Sequence, residues 1–96
     1  MYATFTLMPV KSGMREKLEK VADNQFSAAQ GFKGFKSATY LFSPEGNECG
    51  GFMIWESKED ADAAWAIAGP KIQEAMAALV TGPPTRKVFD VYEPKT

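Results

Sequence analysis

The sequence predicts an α+β fold: a βαββαβ chain whose four strands form one antiparallel sheet with both helices on one face, and a second copy closes the other face into a dimeric α+β barrel. Three observations predict it. Apolar residues recur with strand period and helix period in that order along the chain. Each helical segment carries a single apolar stripe, enough to cover one sheet face. The strand segments carry large apolar groups on both sides, more than a monomer of this size normally leaves in water.

The elements follow in turn. Tyr2 to Val10 alternate, with Ala3, Phe5 and Leu7 on one side and Tyr2, Thr4, Thr6 and Met8 on the other. Pro9 closes this strand and Ser12 is the expected N-cap of a helix carrying Met14, Leu18, Val21, Ala22, Phe26 and Ala29 as one stripe. Gly31 ends it. An extended run through Tyr40, Leu41 and Phe42 leads into the turn Ser43-Pro44-Glu45-Gly46-Asn47, and Cys49 to Trp55 completes a hairpin. Gly50-Gly51 inside that strand predicts a bulge or a close approach to the backbone. Ser57 caps a second helix with Asp60 in its acidic first turn and Ala61, Ala64, Trp65 and Ala68 on one face. Gly69-Pro70 is expected to break it, with a further helical stretch carrying Ile72, Met76, Leu79 and Val80 and a last strand from Lys87 to Glu93. This is the ferredoxin-like arrangement, expected as a single domain over residues 1–96.

Composition narrows the function. The 96 residues are 45% hydrophobic and 24% charged, as in ordinary globular chains, and a net charge of −1 leaves no cationic excess for phosphates. Nucleic acid is therefore not an expected partner. No apolar run approaches the roughly 20 residues of a membrane span, and Met1 to Val10 lacks the features of a signal peptide, so a cytoplasmic protein is expected, with no membrane partner. The single cysteine, Cys49, has no partner for an internal disulfide. The absence of histidine removes the commonest metal ligand and general base together, so no metal site is expected. A haem iron would have to be held by Cys49, a Met or a Tyr.

Three segments resemble the antibiotic biosynthesis monooxygenase (ABM) domain family of the dimeric α+β barrel superfamily. They are Gly34-Phe35-Lys36-Ser37-Ala38-Thr39-Tyr40, the strand-to-helix junction Trp55-Glu56-Ser57-Lys58-Glu59-Asp60-Ala61, and Gly82-Pro83-Pro84 ahead of Val88-Phe89. The Trp-Glu-Ser junction is the most specific, and the resemblance spans nearly the whole chain. It implies a homodimer joined through the sheet faces, with an apolar pocket in each subunit that admits a small aromatic or polyketide-like molecule. Some members oxidise phenols or quinols with O₂ and no cofactor, others degrade haem, and a shared fold does not choose between them.

In members that oxidise polyketides, the junction Trp acts with an Asn, a Tyr and a second-helix Arg. Trp55 matches the first, whereas the other positions fall here on Gly51, Ala61 and, within one residue, Met76. Met76 also lies near the haem-ligating His of the haem-degrading members. Trp55 is then a hydrogen-bond donor to substrate or an apolar plug, and Tyr40 is the alternative proton carrier or a strand tyrosine at the rim. Phe5, Gly51, Met53, Ala61, Trp65 and Met76 are the candidate substrate contacts, although Trp65 and Met76 also suit a helix core. Lys33, Lys36, Arg86 and Lys87 read as solvated charges, with Arg86 able to neutralise an acidic substrate or partner. Cys49 reads as a small core residue and Glu56 as a helix-start charge.

Three functions compete. The first is a cofactor-independent monooxygenase acting on a small aromatic, quinol or polyketide-type metabolite. The second is a non-catalytic homodimer that binds a small hydrophobic ligand, suggested by Gly51, Ala61 and Met76 at polar positions. The third, an isomerase of a small phosphorylated metabolite, requires a cluster of cations in the pocket.

Overall fold

The computed structural model describes residues 1–95. The order is β1 (Tyr2–Pro9), α1 (Arg15–Ala29), β2 (Phe35–Phe42), β3 (Glu48–Trp55), α2 (Lys58–Met76) and β4 (Thr85–Asp90). The strands form one antiparallel sheet in the order β2-β3-β1-β4, as the sequence predicts for a ferredoxin-like chain.

Register decides which side chains meet the helices. β1 and β3 pair without interruption from Tyr2↔Trp55 to Pro9↔Glu48. Directly opposed residues share a face, so Tyr2, Thr4, Thr6 and Met8 lie with Trp55, Met53, Gly51 and Cys49 on the inner face. Phe5, Phe52, Leu7 and Ile54 lie on the outer one. The predicted bulge at Gly50-Gly51 is absent. Glycine serves the other expected purpose there, because a Cβ on Gly50 would stand 2.5 Å from the Thr6 carbonyl oxygen across the pair. The register shift falls instead between Phe35 and Ser37 of β2. Lys36 is the extra residue, and its ammonium lies 2.8 Å from the Glu56 carboxylate at the surface. That exposed ion pair lowers the Glu56 pKa and raises that of Lys36.

Three helix boundaries depart from the sequence expectation. Ser12 does not cap α1: Gly13, at φ 78°, turns the chain between Ser12 and the helix, whose N-cap residue Met14 makes no side-chain cap bond. At α2 the predicted cap holds, with the Asp60 amide donating to Ser57 Oγ at 3.2 Å. Gly69-Pro70 does not break α2, which runs through Pro70. The carbonyl that loses its donor belongs to Ala66, and Ala66 and Pro70 are both exposed, so water can take the place of the missing bond. The helix stops at Met76 and not near Thr81. Val80 bridges Val10, and the last strand ends at Asp90.

Two apolar clusters hold the helices to the inner face. Tyr2, Trp55, Ala61 and Ala64 form one, with Phe35 packed edge-on against the Trp55 indole at 5.6 Å between ring centroids. Val10, Leu18, Met76 and Leu79 form the other, toward the far ends of β1 and β3. No helix among the described residues is long and apolar enough to cross a membrane.

Trp55 is 4% exposed and central to the first cluster. Trp55→Ala should therefore destabilise the protein by about 3–5 kcal/mol, read as a lower midpoint in urea denaturation at fixed protein concentration. A midpoint within error of the parent would remove the indole from the core.

Candidate functional site

Between the two clusters the inner face is lined by small residues. The sheet contributes Thr4, Thr6 and Gly51 there, and the helices contribute alanines, among them Ala22, Ala28, Ala68 and Ala75. Such side chains cannot fill the space between sheet and helix, and a cavity of about 330 Å³ results. That is within the usual range for small-molecule sites.

One row of residues crosses its floor. Thr6 pairs with Gly51 on one side and Arg86 on the other, and Gly51 pairs with Tyr40, so Arg86, Thr6, Gly51 and Tyr40 lie in line across the four strands. The Tyr40 ring flanks Gly51, where an added Cβ would meet it at 3.6 Å, ordinary van der Waals contact. An alanine would therefore fit at Gly51 without a clash, and the glycine leaves that stretch of the floor open. The Tyr40 hydroxyl is buried with no hydrogen-bond partner, which costs a folded protein about 1–3 kcal/mol. Burial pushes its pKa up to about 12, so it is a neutral phenol at physiological pH, a donor and not a base.

Of the sequence candidates, Gly51, Met53, Trp55, Ala61, Trp65, Met76 and Tyr40 all line this cavity. Phe5 does not. It occupies the outer face, its ring 6.4 Å from that of Phe52, because strand alternation sends it away from its neighbours Thr4 and Thr6. Trp55 and Tyr40 do not stand side by side: Trp55 lies four residues beyond Gly51 on β3, about 13 Å along the strand. Trp55 is at once plug and wall, buried in the first cluster and also among the residues that line the cavity. Met76 is 4% exposed and belongs to the second cluster. Cys49 also lines the cavity, and its thiol pKa is raised by burial and by the charge of Glu48. Among the described residues no three His, Cys, Asp or Glu side chains converge as a metal site.

Sequence reasoning reads Arg86 as a solvated charge or as a group able to neutralise an acidic substrate or partner, and it does not single out Lys71. Both line the cavity, and the Arg86 guanidinium lies over the Trp65 ring, 5.0 Å from its centroid. The signal that finds Arg86 is its pairing with Thr6, which requires the register of an edge strand joined by a long connection.

No family profile matches the chain, and no curated protein matches it. Solved structures do. A candidate antibiotic biosynthesis monooxygenase from Nitrosomonas europaea superposes with a TM-score of 0.85 at 15% identity, covering 99% of this chain and 93% of that one. The chain has the ABM fold. A monooxygenase from the gene ActVA-Orf6 of Streptomyces coelicolor, solved in complex with nanaomycin D, gives a TM-score of 0.80 at 21% identity over 99% of this chain and 90% of that one. SnoaB, a cofactor-independent oxygenase from Streptomyces nogalater, gives 0.80 at 18% identity, covering 97% and 94%. Within the ABM fold of this chain, the cavity lies between the sheet and both helices.

The Tyr40 phenol predicts a pH signature. Its folded pKa is raised above the ordinary value near 10, so its contribution to stability is complete below pH 10 and is lost as pH rises toward about 12. Ultraviolet titration should show one tyrosine ionising late, and Tyr40→Phe should remove that step and the matching part of the alkaline stability loss. A late step that survives in Tyr40→Phe would show that the buried phenol is not Tyr40.

Proposed function

We propose that this protein is a cofactor-independent monooxygenase that acts on a small aromatic, quinol or polyketide-type metabolite held in the cavity between sheet and helices. The carrying observation is Tyr40, a residue of the apolar cavity's wall whose hydroxyl is buried without a partner. A buried donor with no acceptor is satisfied when a ligand oxygen arrives. The gain grows as that oxygen becomes anionic, the preference a catalyst of phenol oxidation needs. The likeness to two ABM-fold proteins, one described as a cofactor-independent oxygenase and one as a monooxygenase, supports the same reading.

The chemistry asks little of the protein. An electron-rich phenolate or enolate delivers electrons to O₂ from a ring CH₂ carbon. A carbon–oxygen bond forms, the resulting peroxide loses water, and a carbonyl remains: CH₂ plus O₂ gives C=O plus H₂O. The substrate supplies all four electrons, and one oxygen atom leaves as water. Tyr40 donates to the anionic oxygen, Gly51 leaves room for the ring, and Trp55, Met53 and Trp65 keep the site dry. Tyr40 remains protonated, so the substrate loses its proton to solvent before or during binding.

Oxygen uptake with anthrone-type phenols and hydroquinones checks this reading. Purified protein should accelerate uptake over buffer, and Tyr40→Phe should lower kcat about 10²-fold or more. The absence of acceleration across the panel would end the oxygenase reading. Ligand retention without uptake would establish the second reading, a non-catalytic ligand-binding protein, which the apolar residues Gly51, Ala61 and Met76 favour.

The partner we propose is a second copy. Phe5, Leu7, Leu41, Phe52, Ile54 and Phe89 share the outer face, where Leu41, Phe52 and Phe89 are 43%, 38% and 48% exposed. A twofold sheet-to-sheet contact buries them on both chains at once. Sedimentation should find a dimer that Phe52→Lys converts to monomer, and a monomeric parent would exclude it.

A further inference from the structure

The cavity carries a charge that the protein as a whole does not. The chain is net −1, yet the charged side chains that line the cavity are Lys71 and Arg86, both cations, and no carboxylate is among the lining residues. Among the described residues the ion pairs are Arg15–Glu19, Lys36–Glu56 and Lys58–Asp62, and none uses Lys71 or Arg86. Arg86 is half-buried and held by the Trp65 ring, so its planar donor fork is oriented before any ligand arrives. An apolar wall that positions an uncompensated guanidinium is suited to an anion, and a carboxylate matches the fork in two-point geometry.

The row across the floor sets the ligand's shape. Arg86 and Tyr40 are its two ends, separated by three strand spacings, about 14 Å between backbones. The side chains that face the helices between them, Thr6 and Gly51, are small. From this we propose that the ligand is an anionic aromatic, a flat fused-ring system with an oxygen substituent at the Tyr40 end and a carboxylate at the Arg86 end. The inference rests on the reading of the cavity as a ligand site and names the class of molecule that it takes.

Isothermal titration calorimetry with two probes tests it. 2-Naphthol and 6-hydroxy-2-naphthoate share the ring system and the hydroxyl and differ in the carboxylate. The parent protein should bind the naphthoate at least about tenfold more tightly, and that preference should shrink as salt is raised. Arg86→Gln should bring the ratio to about 1, and Arg86→Lys, which keeps charge without the planar fork, should retain part of it. Lys33→Gln, a surface charge outside the cavity, should leave it intact. Equal affinities in the parent would overturn the anionic class while leaving the ligand cavity standing. A preference that survives Arg86→Gln would equally overturn the assignment. Binding of neither probe would overturn both the cavity reading and this inference. If Arg86→Gln fails to fold by circular dichroism, the salt dependence of the parent and the Arg86→Lys ratio decide.

Discussion

The site depends on a pairing that contains none of its chemistry. β1 and β3 run antiparallel in unbroken register, and β4 is aligned in turn by its pairing with β1. A slip of one residue between β1 and β3 would turn Trp55, Met53, Gly51 and Cys49 toward solvent and bring Phe52 and Ile54 under the helices. Two features oppose it. Gly50 admits the Thr6 carbonyl at a distance no side chain tolerates, and the Trp55 indole fits against Tyr2, Ala61 and Ala64 at the end of the ladder. The end of β3 is fixed in turn by the Ser57 cap and by Gly34. Gly34 sits at φ 82°, where a Cβ would collide with the Asp60 side chain.

Given that register, the cavity follows from side-chain size. Large residues are kept at both ends of the space between sheet and helices, and Thr, Gly and Ala line the middle. Filling the middle would give a better core, because empty apolar space forfeits contacts that packing would make. Tyr40 adds a second cost of the same kind, a buried hydroxyl without an acceptor. Both features lower stability, and a flat, oxygen-bearing ligand of the proposed class would relieve both. Conflicts of this sort between folding and local rules concentrate at functional sites, which is why the two together locate the site more firmly than either alone.

How far the sequence reveals this depends on whether a feature is local. Strand alternation in Tyr2–Met8, the burial of Leu18 and Ala29 on the α1 stripe and the Ser57 cap are decided within a few residues, and each is found where the sequence predicts it, whereas Phe26 of that stripe is exposed. Features decided by distant residues were hidden. Pro70 reads as a helix breaker until Ala66 is known to be exposed, so that water can take the place of the lost donor. Phe5 reads as a ligand contact until the helices are known to cover the face of Thr4 and Thr6. Arg86 reads as a surface cation or a neutraliser of an acidic partner, and only its place opposite Thr6, with the guanidinium over Trp65, puts it in the cavity wall.

The separation of Trp55 from Tyr40 changes what the junction Trp can mean here. The resemblance makes Trp55 the centre of the chemistry, but its indole is built into the core and its nearest ring is Phe35. A residue on which folding depends is a poor place for a group that must adjust to a reacting substrate. Tyr40 is the reverse: its hydroxyl makes no bond that holds the fold, its ring stands beside the space left by Gly51, and Arg86 shares its row. Hydrogen bonding that strengthens as charge develops requires a donor that is unoccupied beforehand and fixed in place. Tyr40 meets that requirement, so the polar end of the cavity, and not the tryptophan junction, is where a reacting oxygen would be held.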